Sequence, residues 1–386
     1  MIKYKKSNKD GGKHMKYGLV LAGGGVRGAF HIGVWKALRR MNIELCAVTG
    51  TSIGAINGAL VAQGEFETAM KMWRGISLNN IIKLPKGMED KQNIFTLKSI
   101  PELAKDMRKN EGLDMSPLED IVRGIIDEDK LRSSEIDFGI ATFSLTQKKG
   151  LYKFIEDIPK GSLVDYIMAS ASILTVRQIE AEKLSDGGVY DNMPVSMLTQ
   201  KGIKDIITVD VQGIGINRGY RGAGRNIIQI RSKKPHMGIM EFDSEGISRS
   251  IDDGYISAMT AFGKVQGNTY AFRTEDYLKA RRSYGTELLS GLEKAAEIFD
   301  IDKLEIYTVH GLIERVLEEY ALCRARGALK GGAFEKIKKE GDNVLLVWLI
   351  EALESGRDDF VKDILEKLGS IYDAASAIMY FKGGTI

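Results

Sequence analysis

The chain has 386 residues, with 55 Lys and Arg against 52 Asp and Glu, a formal net charge of +3, and two cysteines. Charge this close to balance argues against nucleic acid or another polyanion as a partner. Cys46 and Cys323 supply no disulfide framework, which fits a reducing, cytoplasmic setting, and the length is ample for a buried core in one large domain or two.

Residues 1–15 read as a flexible basic tail: five lysines precede Met15, and there is no apolar stretch of the kind a secretory signal needs. A solvated tail with weak attraction to anionic lipid is the expectation. Tyr17–Ala22 is a short apolar run that suits a buried parallel strand. Gly23, Gly24 and Gly25 then break it, and Ala29–Arg40 takes up helical spacing through Ile32, Trp35 and Leu38. A strand that turns through glycines into a helix presents unpaired backbone N–H groups, and such a turn binds anions. The pattern repeats at once, with Leu45–Val48 as strand, Gly50-Thr51-Ser52-Ile53-Gly54 as turn, and a helix from Ala55 onward. Gly50 and Gly54 flank Ser52 as a nucleophile elbow requires. Gly54 and Gly58, with Ala55 and Ala59 beside them, form a small-residue face that lets the helix lie close to a sheet. The plainer alternative is that Ser52 caps the helix with its hydroxyl.

Gly75–Leu113 mixes Ile81, Ile82, Leu84, Ile94, Phe95 and Leu97 with lysines, and reads either as an apolar lid over the cleft or as a helical cover on the core. Further strands are expected at Phe138–Phe143, Ile206–Val211 and Ile227–Ile230. Asp186-Gly187-Gly188 precedes Val189-Tyr190-Asp191-Asn192-Met193-Pro194, which opens a helix running through Leu198 and stopping at Gly202. On its own, Asp186 is as good a turn residue as a functional carboxylate. Domain limits follow: residues 16–275 carry the motifs, and 276–386 read as a helical region. Its helices are predicted over Leu312–Arg324, Phe334–Lys339, Asn343–Glu354, Asp358–Leu368 and Ile371–Phe381. This pattern suits docking on the motif-bearing part, a protein partner or a dimer equally well. The late apolar run Val344–Ile350 is too short to span a bilayer, and no metal-ligand cluster stands out.

Taken together, Gly23-Gly24-Gly25-Val26-Arg27-Gly28, Gly50-Thr51-Ser52-Ile53-Gly54 and Asp186-Gly187-Gly188 resemble the patatin-like phospholipases in order and context. The resemblance runs from Lys16 to about Gly267. It implies a three-layer α/β/α sandwich with a mainly parallel sheet, Ser52 as nucleophile and Asp186 as its base. Gly23, Gly24 and Gly25, with Arg27 and Gly28 completing the motif, would form the oxyanion hole. The implied substrate is a phospholipid or other lipid ester, with peripheral membrane contact and no metal or cofactor. One departure concerns Ala169-Ser170-Ala171-Ser172, which leads into Ile-Leu-Thr-Val-Arg-Gln without the proline that family members often carry. Acyl-pocket shape is what this leaves open.

Other readings compete at single positions. Arg27 opposes the dipole of the helix it opens, so it pairs either with a substrate phosphate or with a nearby carboxylate or carbonyl. The four histidines are His14, His31, His236 and His310. A Ser-His-Asp triad would require His236 or His310, and a Ser52–Asp186 dyad fits better. Gly23–Gly28 also satisfies the dinucleotide-binding fingerprint, yet that fold wants an acidic residue at the end of the second strand, where Thr49-Gly50-Thr51-Ser52 stand. A lipid-binding or scaffold protein that keeps the fold without turnover is the remaining rival.

Overall fold

The computed structural model describes residues 15–83, 114–172, 175–219, 226–326, 341–356 and 368–383. The tail through residue 14, residues 84–113 of the expected lid or cover, and the helices expected over Phe334–Lys339 and most of Asp358–Leu368 lie outside them. The chain divides into two compact units, the first ending at Ala258 and the second starting at Met259.

All five strands expected in the first unit form: β1 (Lys16–Leu21), β2 (Glu44–Thr51), β3 (Asp137–Ser144), β7 (Asp205–Asp210) and β8 (Asn226–Arg231). They run parallel in the order β3-β2-β1-β7-β8. Apolar runs such as Leu19–Leu21 and Ile206–Ile207 are buried, as a sheet covered on both faces demands. Helix α1 is Ala29–Arg40, and α2 is Ile53–Gln63. On α2, Gly58 lies against Val48 and Phe138, while Met197 and Leu198 of the helix Val195–Gln200 lie against Gly139 and Gly18. Phe138 and Gly139 are consecutive and point to opposite faces, so these two helices cover opposite sides of the sheet. The result is the expected α/β/α sandwich.

Three strands of the first unit escaped the sequence reading, as did the three short ones of the second unit, of which Ile306–Tyr307 interrupts the region expected to be helical. Strand β4 (Lys149–Phe154) pairs antiparallel along β3, and β5 (Arg177–Ile179) forms a hairpin with β6 (Glu182–Ser185). Strand β2 pairs with β3 only as far as Thr51↔Ala141, and β6 takes up Phe143 and Ser144 beyond that point, running the other way. Two chain ends therefore meet head-on beside β3: Ser52 leaves β2 where Asp186 leaves β6.

The second unit packs the helices Thr274–Ile298, Val309–Ala325, Asp342–Glu354 and Ser370–Lys382 around Leu312, Val316, Leu346, Leu349 and Ile378. A small three-stranded sheet, β9 (Val265–Gln266), β10 (Ala271–Arg273) and β11 (Ile306–Tyr307), accompanies them. Among the described residues, no helix is long and apolar enough to cross a membrane.

Candidate active site

Strand order reverses direction of growth at β1, which has β2 on one side and β7 on the other, and in open α/β sheets ligands bind at the carboxyl end of such a point. The glycine loop follows β1 there. Ser52 follows β2 with φ 56° and ψ −127°, a positive φ that costs a non-glycine residue about 1–3 kcal/mol. Close packing enforces the turn: a Cβ on Gly50 would stand 2.1 Å from the Gly54 carbonyl oxygen, and one on Gly54 2.2 Å from that of Leu21. Ser52 occupies the N-cap position of α2, yet its hydroxyl makes no capping hydrogen bond. The plain helix-cap reading fails on this point. The Ser52 N–H instead donates to Ser170 Oγ at 2.8 Å, and Ser170 Oγ donates to the Ala141 carbonyl at 2.6 Å.

Asp186 caps the short turn Gly187–Val189 by accepting from the Gly188 N–H at 2.8 Å through Oδ1. The turn reading accounts for that oxygen only. Oδ2 is buried and has no hydrogen-bond partner, although the residue as a whole keeps partial exposure. Burial pushes the carboxyl up to about 6, opposed by the Gly188 N–H and then by the Ser52 hydroxyl. Ser52 is thus near enough to influence Asp186, while the contact falls short of a formed hydrogen bond. Gly187 fits tightly against the Ala141 carbonyl and Thr51, which fixes the loop. Asn192, fully buried, accepts the Gly23 N–H through its carbonyl and donates from Nδ2 to the Gly23 carbonyl at 3.2 Å.

That contact divides the glycine loop. The Gly23 N–H is committed to Asn192, whereas those of Gly24 and Gly25 find no acceptor among the described residues. Gly25 has φ 57° and approaches the Ile239 carbonyl too closely for any Cβ. Arg27 donates from Nε to the Met237 carbonyl at 2.8 Å and from Nη1 to the Gln212 carbonyl at 2.6 Å. Of its two readings the structure has the carbonyl one: the guanidinium clasps the loops after β7 and β8 to the glycine turn. Gly28 lies against Ile53 and Trp73, and its carbonyl accepts from Asn57 Nδ2 at 3.0 Å.

A narrow apolar cavity of about 40 Å³ opens from Ser52, walled by Val26, Ile56, Trp73, Leu118, Ala171 and Met240. Ile76, Ile81 and Ile82, the described start of the expected lid or cover, also line it. Behind the wall, Trp73 Nε1 donates to Asn57 Oδ1 at 2.9 Å, which leaves Asn57 Nδ2 to face His31 Nδ1 at 3.1 Å. The His31 proton therefore sits on Nε2, which is buried without a partner, and burial lowers its pKa to about 3. His31 is a neutral core residue. His236 faces Asp253 at 3.5 Å and His310 faces Glu314 at 3.4 Å, so neither addresses Asp186. Asp191 is likewise outside the pair, since Oδ2 accepts from the Tyr152 hydroxyl at 2.8 Å. Sequence reasoning missed Ser170, Asn192 and the Trp73–Asn57–His31 chain, whose contacts join residues remote in sequence.

Glu44 begins β2 and the strand ends at Thr51, so the position where a dinucleotide fold holds a ribose has no carboxylate. What the fold and the elbow define is an α/β/α domain built around a strained serine. Residues 19–199 match the family model described as patatin-like phospholipase, so this part of the chain is a domain of that kind. Relatives include the lysophospholipase NTE1 of Mycosarcoma maydis, 29% identical over 52% of this chain and 10% of that protein. The lysophospholipase NTE1 of Cryptococcus neoformans is 30% identical over 51% of this chain and 11% of its own length. The chain thus spans about a tenth of these curated relatives. Among solved structures, VipD from Legionella pneumophila aligns with a TM-score of 0.43 and 14% identity, covering 94% of this chain and 88% of that one.

Proposed function

We propose that this chain is a serine acyl hydrolase that cleaves lipid esters, of phospholipid or lysophospholipid type, through an acyl-enzyme. One observation carries the reading: a strained serine whose hydroxyl is not spent on helix capping sits beside a carboxylate whose Oδ2 is buried and unpartnered. Asp186 Oδ2 takes the Ser52 hydroxyl proton as Oγ attacks the ester carbonyl. The oxyanion so formed is received by the glycine loop Gly23–Gly25, whose free donors are Gly24 and Gly25; each such donor is typically worth ~10²–10³ in rate. Arg27 and Gly28 support that loop rather than donating from their side chains. The protonated Asp186 then gives its proton to the departing alkoxide, which leaves as the alcohol. Water, deprotonated by Asp186, attacks the acyl-Ser52 ester, and the proton returns to Oγ as the fatty acid departs.

A carboxyl raised to about 6 is both ionised at neutral pH and a better proton acceptor than an ordinary aspartate. The apolar cavity at Ser52 suits an acyl chain. The lysophospholipase names of the relatives agree with this substrate class. The test is covalent labelling with a fluorophosphonate ester, locating the adduct by peptide mass in the wild type, Ser52→Ala and Asp186→Asn. Labelling at Ser52 that falls sharply in Asp186→Asn is expected. An unlabelled Ser52 would favour a lipid-binding protein on the same fold.

A further inference from the structure

Among the described residues, the first unit has six strongly exposed large apolar side chains, and five of them gather at the edge of the sheet that bears Ser52 and Asp186. Leu145 follows β3, Val176 starts the β5–β6 hairpin, Val189 follows Gly188, and Ile214 and Ile216 lie in the loop after β7. Ile214 is 86% exposed. Single exposed apolar residues are ordinary, but a group on the rim of one cleft marks an interaction surface.

The group is also held in place. The Ile216 N–H donates to the Gly188 carbonyl at 2.9 Å, and the Asn192 N–H donates to the Ile216 carbonyl at 2.7 Å. Arg218 stacks on the Tyr190 ring at 3.6 Å and donates from Nε to the Tyr190 carbonyl. Leu145 is tied to the hairpin by its N–H to the Lys183 carbonyl at 2.8 Å. A rigid rim loses little conformational entropy when it docks.

We infer that this rim is a lipid-docking face, with Leu145, Val176, Val189, Ile214 and Ile216 entering the interface of an anionic lipid aggregate. Charge selects this occupant. Lys148 and Lys149 on the β3–β4 hairpin, Lys183 of β6 beside Leu145 and Arg218 on the Tyr190 ring are exposed along this edge, against Glu180 and Glu182, so the face attracts anionic headgroups, and two copies meeting through it would oppose like charges. The inference rests on the lipid-ester reading, because a serine only 4% exposed reaches an aggregated ester only if its rim meets the aggregate.

The test uses the full chain carrying Ser52→Ala, which reads docking without turnover. Its co-sedimentation is measured with phosphatidylcholine vesicles and with vesicles of phosphatidylcholine and phosphatidylglycerol. Binding that favours the anionic vesicles is expected, with Leu145→Ser plus Ile214→Ser weakening it roughly tenfold or more at an unchanged melting temperature. Lys148→Glu plus Lys149→Glu should remove the anionic preference. Absence of vesicle binding, or equal binding by the Leu145/Ile214 variant, overturns the inference. So does a concentration-dependent dimer, lost in that variant, on a chain indifferent to vesicles. The same double variant with Ser52 intact should still turn over a monomeric short-chain ester, so failure of the hydrolase reading is recognised separately.

Discussion

Ser170 holds Ser52 by the backbone: its hydroxyl accepts a hydrogen bond from the Ser52 N–H and donates one to the Ala141 carbonyl. Both Ser52 and Ser170 are buried, so removing the hydroxyl leaves a donor and an acceptor without partners. Ser170→Ala should cost about 1–3 kcal/mol of stability by chemical denaturation, as unsatisfied buried groups do. A positive-φ serine relies on its surroundings to stay in place. The rate of fluorophosphonate labelling at Ser52 should therefore fall in this variant even at temperatures where it is fully folded.

Asp186 predicts opposite changes in activity and stability. Turnover requires the carboxylate, so the rate should rise with pH through about 6 and stand at about a tenth of its plateau at pH 5. Between about pH 4 and 6 the folded chain keeps a proton that the unfolded chain has released. The stability from this group is complete below the unfolded value of 3.8 and lost as pH rises through about 6, an effect of about 3 kcal/mol. His31 works the other way: its folded value of about 3 lies below 6.5, so its contribution is present above 6.5 and lost as pH falls toward 3. Asp186→Asn removes only the first effect. Denaturation curves should show it more stable than the wild type at pH 7 and little different at pH 4, and inactive at both.

The residues legible in the sequence are those whose type is forced by steric or backbone demands. Gly50, Gly54 and Gly25 stand where a Cβ has no room, and their spacing announced the elbow and the glycine turn. The parallel strands were legible because burial on both faces makes them continuous apolar runs. Strand β6 was not, since Glu182-Lys183-Leu184-Ser185 is short and half polar, though it is the strand that delivers Asp186 to Ser52. Arg27 stayed open between a phosphate and a carbonyl because its acceptors, Met237 and Gln212, lie about 200 residues away in the chain. The role of Ser170 and the clustering of Leu145 with Ile214 depend on strand order in the same way.

Gly54 offers a direct check on the elbow. An alanine there must displace the carbonyl of Leu21, which ends β1 between Gly50 of β2 and Val209 of β7 and leads into the glycine loop, whereas Gly64 has a positive φ but open space around it. Gly64→Ala should cost about 1 kcal/mol, a backbone effect alone. Gly54→Ala should cost at least ~2–3 kcal/mol and abolish labelling of Ser52, because overpacking against backbone cannot relax by a rotamer change. Thermal melts of the two variants compare them directly, and equal costs would mean that α2 can move away from β1.

Trp73 sets the depth of the apolar cavity. It is fully buried, and its orientation is fixed by the hydrogen bond from Nε1 to Asn57 Oδ1. Trp73→Phe shortens the wall and leaves Asn57 Oδ1 without its donor, a loss of about 1–3 kcal/mol in stability. Because the cavity that opens from Ser52 is only about 40 Å³, the space released is large in proportion. A pocket discriminates by roughly 1–3 kcal/mol per methylene-sized change, so the ratio of kcat/KM for long over short acyl esters should rise about tenfold or more. Asn57→Leu separates shape from hydrogen bonding: it should destabilise the fold by removing the partner of Trp73, His31 and the Gly28 carbonyl, yet shift the acyl ratio far less, since the indole remains in the wall. A chain-length series of esters assayed on both variants decides the matter, and an unchanged ratio in Trp73→Phe would place the acyl chain elsewhere.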